Sequence, residues 1–404
     1  MRMGGALVWG ALLAAEAASA QPIVRVGLEK VEAEGGAPLR GKRVGLVVHA
    51  ASVTRDGRHA IDVLRGSGVD VRRLFAPEHG LRARAAAGEA VAGGVDAGSG
   101  LPLVSLYGTQ SKPAAADLRD LDALVFDLQD VGVRFYTYVS TLILCLEAAA
   151  ETGIDLVVLD RPNPLGGDRV EGPVADPAVP KSLVNTAPGP LVHGLTAGEM
   201  ARFVNGRRTR PARVTVVPLE GWRRDMTWSE TGWPWVPPSP NLRSAEAALA
   251  YPGTCLLEGT NVAEGRGTEA PFLLFGAPWL RAGALVRDVR VPGFTLEPIG
   301  FTSHAGEAAP NPKYEGQACA GVRVRVTDQK SVQAYRLGVA LLAAIRREHT
   351  AFRWNGDGSA FDRLVGTPRL RVALERGEGV DAVVAADGAA IAAYREQRRR
   401  ALLY

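Results

Sequence analysis

Short apolar runs alternate with helical stretches through the first 160 residues, and this alternation leaves few folds open. The runs are Arg43-Val-Gly-Leu-Val-Val-His49, Val69–Phe75, Leu103–Tyr107, Leu121–Asp127 and Ile154–Asp160. Each is too short for a helix and too continuously apolar for a strand with one wet face, as expected of strands buried on both sides. Helical patterns at Ala60–Arg65 and Val139–Glu151 lie between them. Strands separated by helices pair in parallel, which predicts an α/β fold with a Rossmann-like, doubly wound sheet. In the second half, a strand pattern at Val322–Val326, a helix at Val332–Arg347 and a basic helical tail ending Leu402-Leu-Tyr404 predict a smaller α+β domain. The pattern changes near Tyr251, so the expected division is residues 21–250 and 251–404. Between them, Trp222–Pro240 is too rich in proline for a regular helix and is expected to form an ordered loop with aromatic faces.

The first twenty residues carry a different signal. A positive start at Arg2 precedes an apolar stretch too short to span a bilayer, and Ala18-Ser19-Ala20 supplies the small-x-small pattern of a signal-peptidase site. The expected mature chain therefore works outside the cytoplasm, in the periplasm of a two-membrane host, with no stable membrane insertion. Formal net charge is only +4 and the basic residues are scattered, which argues against nucleic acid as a partner. Three cysteines, Cys145, Cys255 and Cys319, are too few for a disulfide scaffold; an oxidising compartment would allow one bridge, Cys255–Cys319.

Ligands of doubly wound sheets bind beyond the carboxyl ends of the strands. No GxGxxG turn follows the first strand and no Walker lysine occurs, so neither a dinucleotide nor another cofactor is expected. The strand ends instead carry ionisable clusters. Pro77-Glu78-His79-Gly80 puts a carboxyl close to backbone after a buried strand. Burial disfavours the charged form of a carboxyl, which suits a general acid, and His79 could orient a substrate beside it. A turn in which Glu78 caps the next segment would look the same. Asp127, Gln129 and Asp130 follow the next buried strand, with Asp127 expected to point into the cleft. If the chain runs extended, Arg134, Tyr136 and Tyr138 share one side, and tyrosine faces suit a sugar ring. A structural Asp–Arg pair with core tyrosines is the competing explanation. Asp160, Arg161 and Asn163 sit among the rigidifying Pro162 and Pro164. Thr196-Ala-Gly-Glu199 fits a helix capping box better than a site. Finally, Glu258-Gly-Thr-Asn261-Val-Ala-Glu264-Gly-Arg266 offers carboxylates, an amide and a guanidinium on a glycine-punctuated loop, a candidate second wall of the cleft.

The six histidines lack paired spacing, no metal ligand set is expected, and no GxSxG elbow exists. A site of carboxylates, tyrosines and amides suits glycoside hydrolysis, in which one carboxylic acid protonates the leaving oxygen and a second group stabilises or attacks the anomeric carbon. Asp127 or Asp130 is the expected second carboxyl.

Several motifs are long and unusual: Phe75-Ala-Pro-Glu-His-Gly-Leu81, Ser105-Leu-Tyr-Gly108, Phe126–Tyr138, Leu159–Gly167, Pro252-Gly-Thr-Cys255 and Glu258–Thr268. From about residue 25 to its end, the chain resembles the exo-β-N-acetylmuramidase family, long described only as a domain of unknown function. The resemblance implies a cleft between a Rossmann-like domain and a smaller one, and release of N-acetylmuramic acid from the non-reducing ends of peptidoglycan-derived saccharides. It implies that Glu78, in the family's Pro-Glu-His-Gly motif, is the leading catalytic candidate. His79, Gln129, Arg134, Tyr136, Tyr138, Asp160, Asn163, Glu264 and Arg266 would bind sugar, with Arg134 or Arg266 meeting the lactyl carboxylate. The chain departs from the expected pattern at His49, in place of Asn, and at Arg243, in place of Pro. A periplasmic binding module for muropeptides, and a cell-wall esterase or amidase, are the rival functions.

Overall fold

The computed structural model describes residues 23–404. The expected leader, residues 1–20, lies outside the described residues. Seven strands form the larger sheet: β1 (Arg43–Val48), β2 (Asp70–Ala76), β3 (Gly94–Val95), β4 (Pro102–Ser105), β5 (Ala123–Asp127), β6 (Asp155–Leu159) and β7 (Arg213–Val217). Their order is β3-β4-β2-β1-β5-β6-β7. All neighbours pair in parallel except β3, which runs antiparallel along the edge of β4.

The side-chain period of two explains why the central strands read as unbroken apolar runs. Val44, Leu46 and Val48 of β1 enter one core with Leu28 and Val31 of helix Gly27–Ala33 and Ile61 and Leu64 of helix Ala60–Gly66. Val47 points the other way, into a core shared with Leu142, Ile143 and Leu146 of helix Thr137–Thr152. In β5, Ala123 and Val125 serve the first core, Leu124 and Phe126 the second. A sheet with apolar cores on both faces is the doubly wound arrangement expected.

The second unit is built on a three-stranded antiparallel sheet of β8 (Leu274–Ala277), β9 (Phe294–Thr302) and β10 (Ala318–Val326), with β10 central. Helix Ala334–Glu348 crosses helix Ala245–Thr254 at a glycine contact. A Cβ on Gly338 would come within 2.6 Å of the Gly253 carbonyl oxygen, so the crossing needs glycine. Position 251, where the sequence pattern changes, falls inside the second of these helices. The larger of the two cores runs on through both units. The tail returns to the first sheet: the Tyr404 hydroxyl accepts from the Leu219 N–H at 2.7 Å and donates to Asp160 Oδ2 at 2.7 Å.

Two expectations need correction. Tyr136 flanks helix Thr137–Thr152 and Tyr138 lies in its first turn, so the chain is not extended there and the two rings do not alternate with Arg134 along one edge. All three cysteines are free; Cys255 sits in the 3₁₀ turn after helix Ala245–Thr254 and Cys319 in β10, each buried in its own packing. The capping box at Thr196 forms: its side chain accepts from the Glu199 N–H while Glu199 reaches back to the Thr196 N–H. Among the described residues, no helix is long and apolar enough to cross a membrane.

Candidate active site

A cavity of about 820 Å³ opens beyond the carboxyl ends of β2 and β4, between the two units. Glu78 lies on its wall and is only 8% exposed. The turn that places it is unusual, because His79 and Gly80 both have positive φ, 70° and 74°. A left-handed histidine is uncommon and is retained only where surrounding contacts determine it. Here the Gly80 N–H binds the Pro77 carbonyl, and the His79 carbonyl accepts from the Arg84 and Ala85 N–H groups. The His79 ring contacts the Ala85 carbonyl through Nδ1 at 2.8 Å. A carbonyl only accepts, so Nδ1 carries the proton. Burial lowers the His79 pKa, against the pull of the Glu78 carboxylate, so Nε2 is left as an acceptor at the cavity.

The Glu78 carboxylate is held at both oxygens. Oε1 accepts from the Gly88 N–H at 3.0 Å, and Oε2 from the Thr137 hydroxyl at 2.7 Å. The Thr137 hydroxyl can rotate to accept from a protonated Glu78, so this partner serves both charge states. Tyr107 stands close by; burial and the Glu78 carboxylate push its phenol up to about 12, keeping it a donor. The Tyr136 hydroxyl is buried at the cavity and makes no hydrogen bond among the described residues. Burial pushes its phenol up as well. Tyr136, Tyr251 and Phe272 meet edge to face, with centroid separations of 6.0 and 4.7 Å, and form an aromatic wall.

The loop Glu258–Arg266 adds charged groups to the cavity wall. Glu258 and Arg266 line the cavity and pair with each other. Arg266 also contacts Glu264 at 3.3 Å and lies 5.0 Å from the Phe272 ring centre. Burial works against its charge, but the two carboxylates outweigh that and hold the guanidinium protonated. Glu264 is set behind, where Lys313 takes its other oxygen at 2.9 Å.

The remaining candidates have other occupations. Asp127 does not reach the cavity. It is fully buried and gripped by Arg161 through Nε at 2.5 Å and Nη2 at 2.9 Å. A charge at a strand end with no water needs a partner, and Arg161 at the end of β6 supplies it. Asp130 accepts from the Gly132 N–H at 2.7 Å and lies 3.5 Å from His193, away from the cavity lining. Asp160 accepts from Thr196, Gly198 and Tyr404, and burial lifts its carboxyl to about 6. Arg134 is fully buried and donates to the carbonyls of Pro173, Gly189 and Val365. Asn163 ties the Leu165 N–H to the Leu195 carbonyl, and Gln129 donates to the carbonyls of Asp130 and Pro162. The Tyr138 hydroxyl lies 2.7 Å from the Pro238 carbonyl and 3.3 Å from that of Glu78, so it supports the Glu78 turn from behind. His49, the departure after β1, is buried; it accepts from the Gln129 N–H at 3.0 Å and packs against the edge of Tyr138.

The exo-β-N-acetylmuramidase NamZ N-terminal and C-terminal family models match residues 44–246 and 249–404. The chain belongs to the exo-β-N-acetylmuramidase NamZ family. It is 36% identical over 412 residues to the peptidoglycan β-N-acetylmuramidase NamZ of Bacillus subtilis, covering 99% of this chain and 98% of the relative. Two DUF1343-family crystal structures from Bacteroides fragilis share the fold. One has a TM-score of 0.84 at 29% identity, covering 94% of this chain and 99% of its own; the other has 0.76 at 30%, covering 95% and 99%. The Pro77-Glu78-His79-Gly80 segment is the left-handed turn on the cavity wall, and Glu258 and Arg266 line the same cavity.

Thr137, Tyr107, Tyr251, Asn241, Lys181 and Arg363 also line the cavity and were not among the sequence candidates. Thr137 sat between two tyrosines that were, and Asn241 and Tyr107 lay in or beside family motifs. Lys181 and Arg363 gave no signal, each lying outside the motifs singled out in the sequence.

Proposed function

We propose that this protein is an exo-acting glycoside hydrolase that releases N-acetylmuramic acid from the non-reducing ends of peptidoglycan fragments. The observation that carries the reading is the Glu78 carboxyl, enclosed on the wall of a cavity and held at both oxygens. Family membership and the named activity of the Bacillus subtilis relative support it. Glu78 protonates the glycosidic oxygen as the bond to the anomeric carbon breaks. Thr137 and the Gly88 N–H fix the direction from which the proton arrives. Glu258 is the second carboxyl on the cavity and is assigned the anomeric side, with Arg266 orienting it. The Tyr136–Tyr251–Phe272 wall would take the apolar face of the sugar, and the free Tyr136 hydroxyl one of its polar groups.

The leader pattern supports export, so the proposed site of action is the periplasm. Mass spectrometry of products from a wall tetrasaccharide with muramic acid at its non-reducing end tests the function. Free N-acetylmuramic acid and a shortened trisaccharide are expected. Cleavage inside the chain, or release of peptide or acyl groups without free sugar, would overturn the reading.

A further inference from the structure

We infer that Lys181 and Arg363, which line the same cavity, form a carboxylate-binding subsite there, assembled by Arg134; this inference rests on the proposed muramidase reading. Muramic acid differs from glucosamine by its lactyl ether, whose carboxylate is the natural handle for selection. Three other basic residues stand in the sequence motifs or on the cavity wall, and none is free to perform that task. Arg266 already balances Glu258 and Glu264. Arg134 is fully buried, off the cavity lining, and its two terminal nitrogens donate to three backbone carbonyls. His79 has its one ring proton on the Ala85 carbonyl.

Lys181 and Arg363 also line the cavity, and both are exposed. Neither side chain makes an ion pair or hydrogen bond among the described residues. They come from opposite units: Lys181 from the loop between β6 and β7, Arg363 from helix Ser359–Val365. What brings them to one cavity is Arg134. It donates to Pro173 and Gly189, which bracket the Lys181 loop, and to Val365 at the end of the Arg363 helix. The Asp176 N–H adds a bond to the Gly366 carbonyl at 2.7 Å. Arg134 is therefore a positioning residue. Two cations that line one cavity, without partners among the described residues, lower the cost of bringing an anion there and favour a ligand carboxylate over a neutral group. That carboxylate could be the lactyl group of the terminal sugar or an acid of an attached peptide stem.

The test is calorimetric binding of three probes to the full chain and to the K181Q/R363Q double variant. The probes are N-acetylmuramic acid, its neutral lactyl amide, and N-acetylmuramyl-L-alanyl-D-glutamate. Wild type is expected to bind the free acid roughly 10-fold or more tighter than the amide, a preference the double variant loses. The K181R/R363K variant, which keeps both charges, should retain much of that preference. If instead only the dipeptide acid is preferred, and that preference is lost, the stem is the source and the subsite stands. Equal binding of acids and amide by wild type, or an unchanged preference in the double variant, overturns it. Turnover of the tetrasaccharide by wild type is read separately, so failure of the subsite and failure of the muramidase reading are distinguishable.

Discussion

The Thr137 hydroxyl donates to Glu78 Oε2 at 2.7 Å, joining the start of a core helix to the turn that follows β2. The pair links fold to chemistry. Helix Thr137–Thr152 is anchored in the core by Leu142, Ile143 and Leu146, so the hydroxyl on its first residue is fixed in space, and it fixes the carboxyl in turn.

Replacing Thr137 with Val keeps the shape and removes the hydroxyl. A hydrogen bond to a charged group is worth about 1.5–3 kcal/mol, so turnover of muramic-acid-terminated fragments should fall roughly 10- to 100-fold. Thr137→Ser should retain most activity. Steady-state rates of the two variants check this; equal rates for Val and Ser would remove Thr137 from the site.

Asp127 and Arg161 should behave as structural residues. Removing one member of a buried ion pair costs about 3–5 kcal/mol. Asp127→Ala should therefore lower the denaturant midpoint strongly, while the activity of the molecules still folded falls much less than for a Glu78 variant. Unfolding curves together with activity normalised to folded protein test both halves.

Stability should decline as pH rises from about 4 to 7. Burial lifts Asp160 to about 6 and Glu171 to about 7 in the folded chain. A carboxyl whose folded pKa exceeds its unfolded value contributes stability that is complete below the unfolded pKa and lost as pH climbs through the folded one. For Asp160 the full span is on the order of 3 kcal/mol. Tyr404→Phe removes a donor that favours the charged carboxylate, so its loss of stability should extend to higher pH. Chemical denaturation at half-unit intervals from pH 4 to 8 measures this, and parallel curves for variant and wild type would contradict it.

The doubly wound sheet was legible because its strands are buried on both faces and so appear as apolar runs. The edge strands β3 and β7 were not: Gly94–Val95 is two exposed residues, and Arg213–Val217 alternates with water on one side. Within the site, Glu78 stood out because its carboxyl follows a buried strand, a place where a capping turn and a chemical group look alike in sequence. Asp127 carried the same signal for another reason. A carboxyl ending a buried strand announces a partner, and only the register of β5 against β6 makes that partner Arg161 rather than a ligand. Arg134 misled similarly, since a guanidinium whose terminal nitrogens donate to carbonyls leaves no trace in side-chain patterns. Lys181 and Arg363 are 182 positions apart in the chain, and only the packing of the two units brings them to one cavity.

The most direct test is the rate of N-acetylmuramic acid release by Glu78→Gln beside wild type, with thermal unfolding of both. Glutamine preserves the shape and the contact with Gly88 but cannot deliver a proton, so release should fall by about 10²–10⁴-fold while the unfolding temperature stays close to that of wild type. Near-normal release by a folded Glu78→Gln variant would contradict the assignment of Glu78 as the acid.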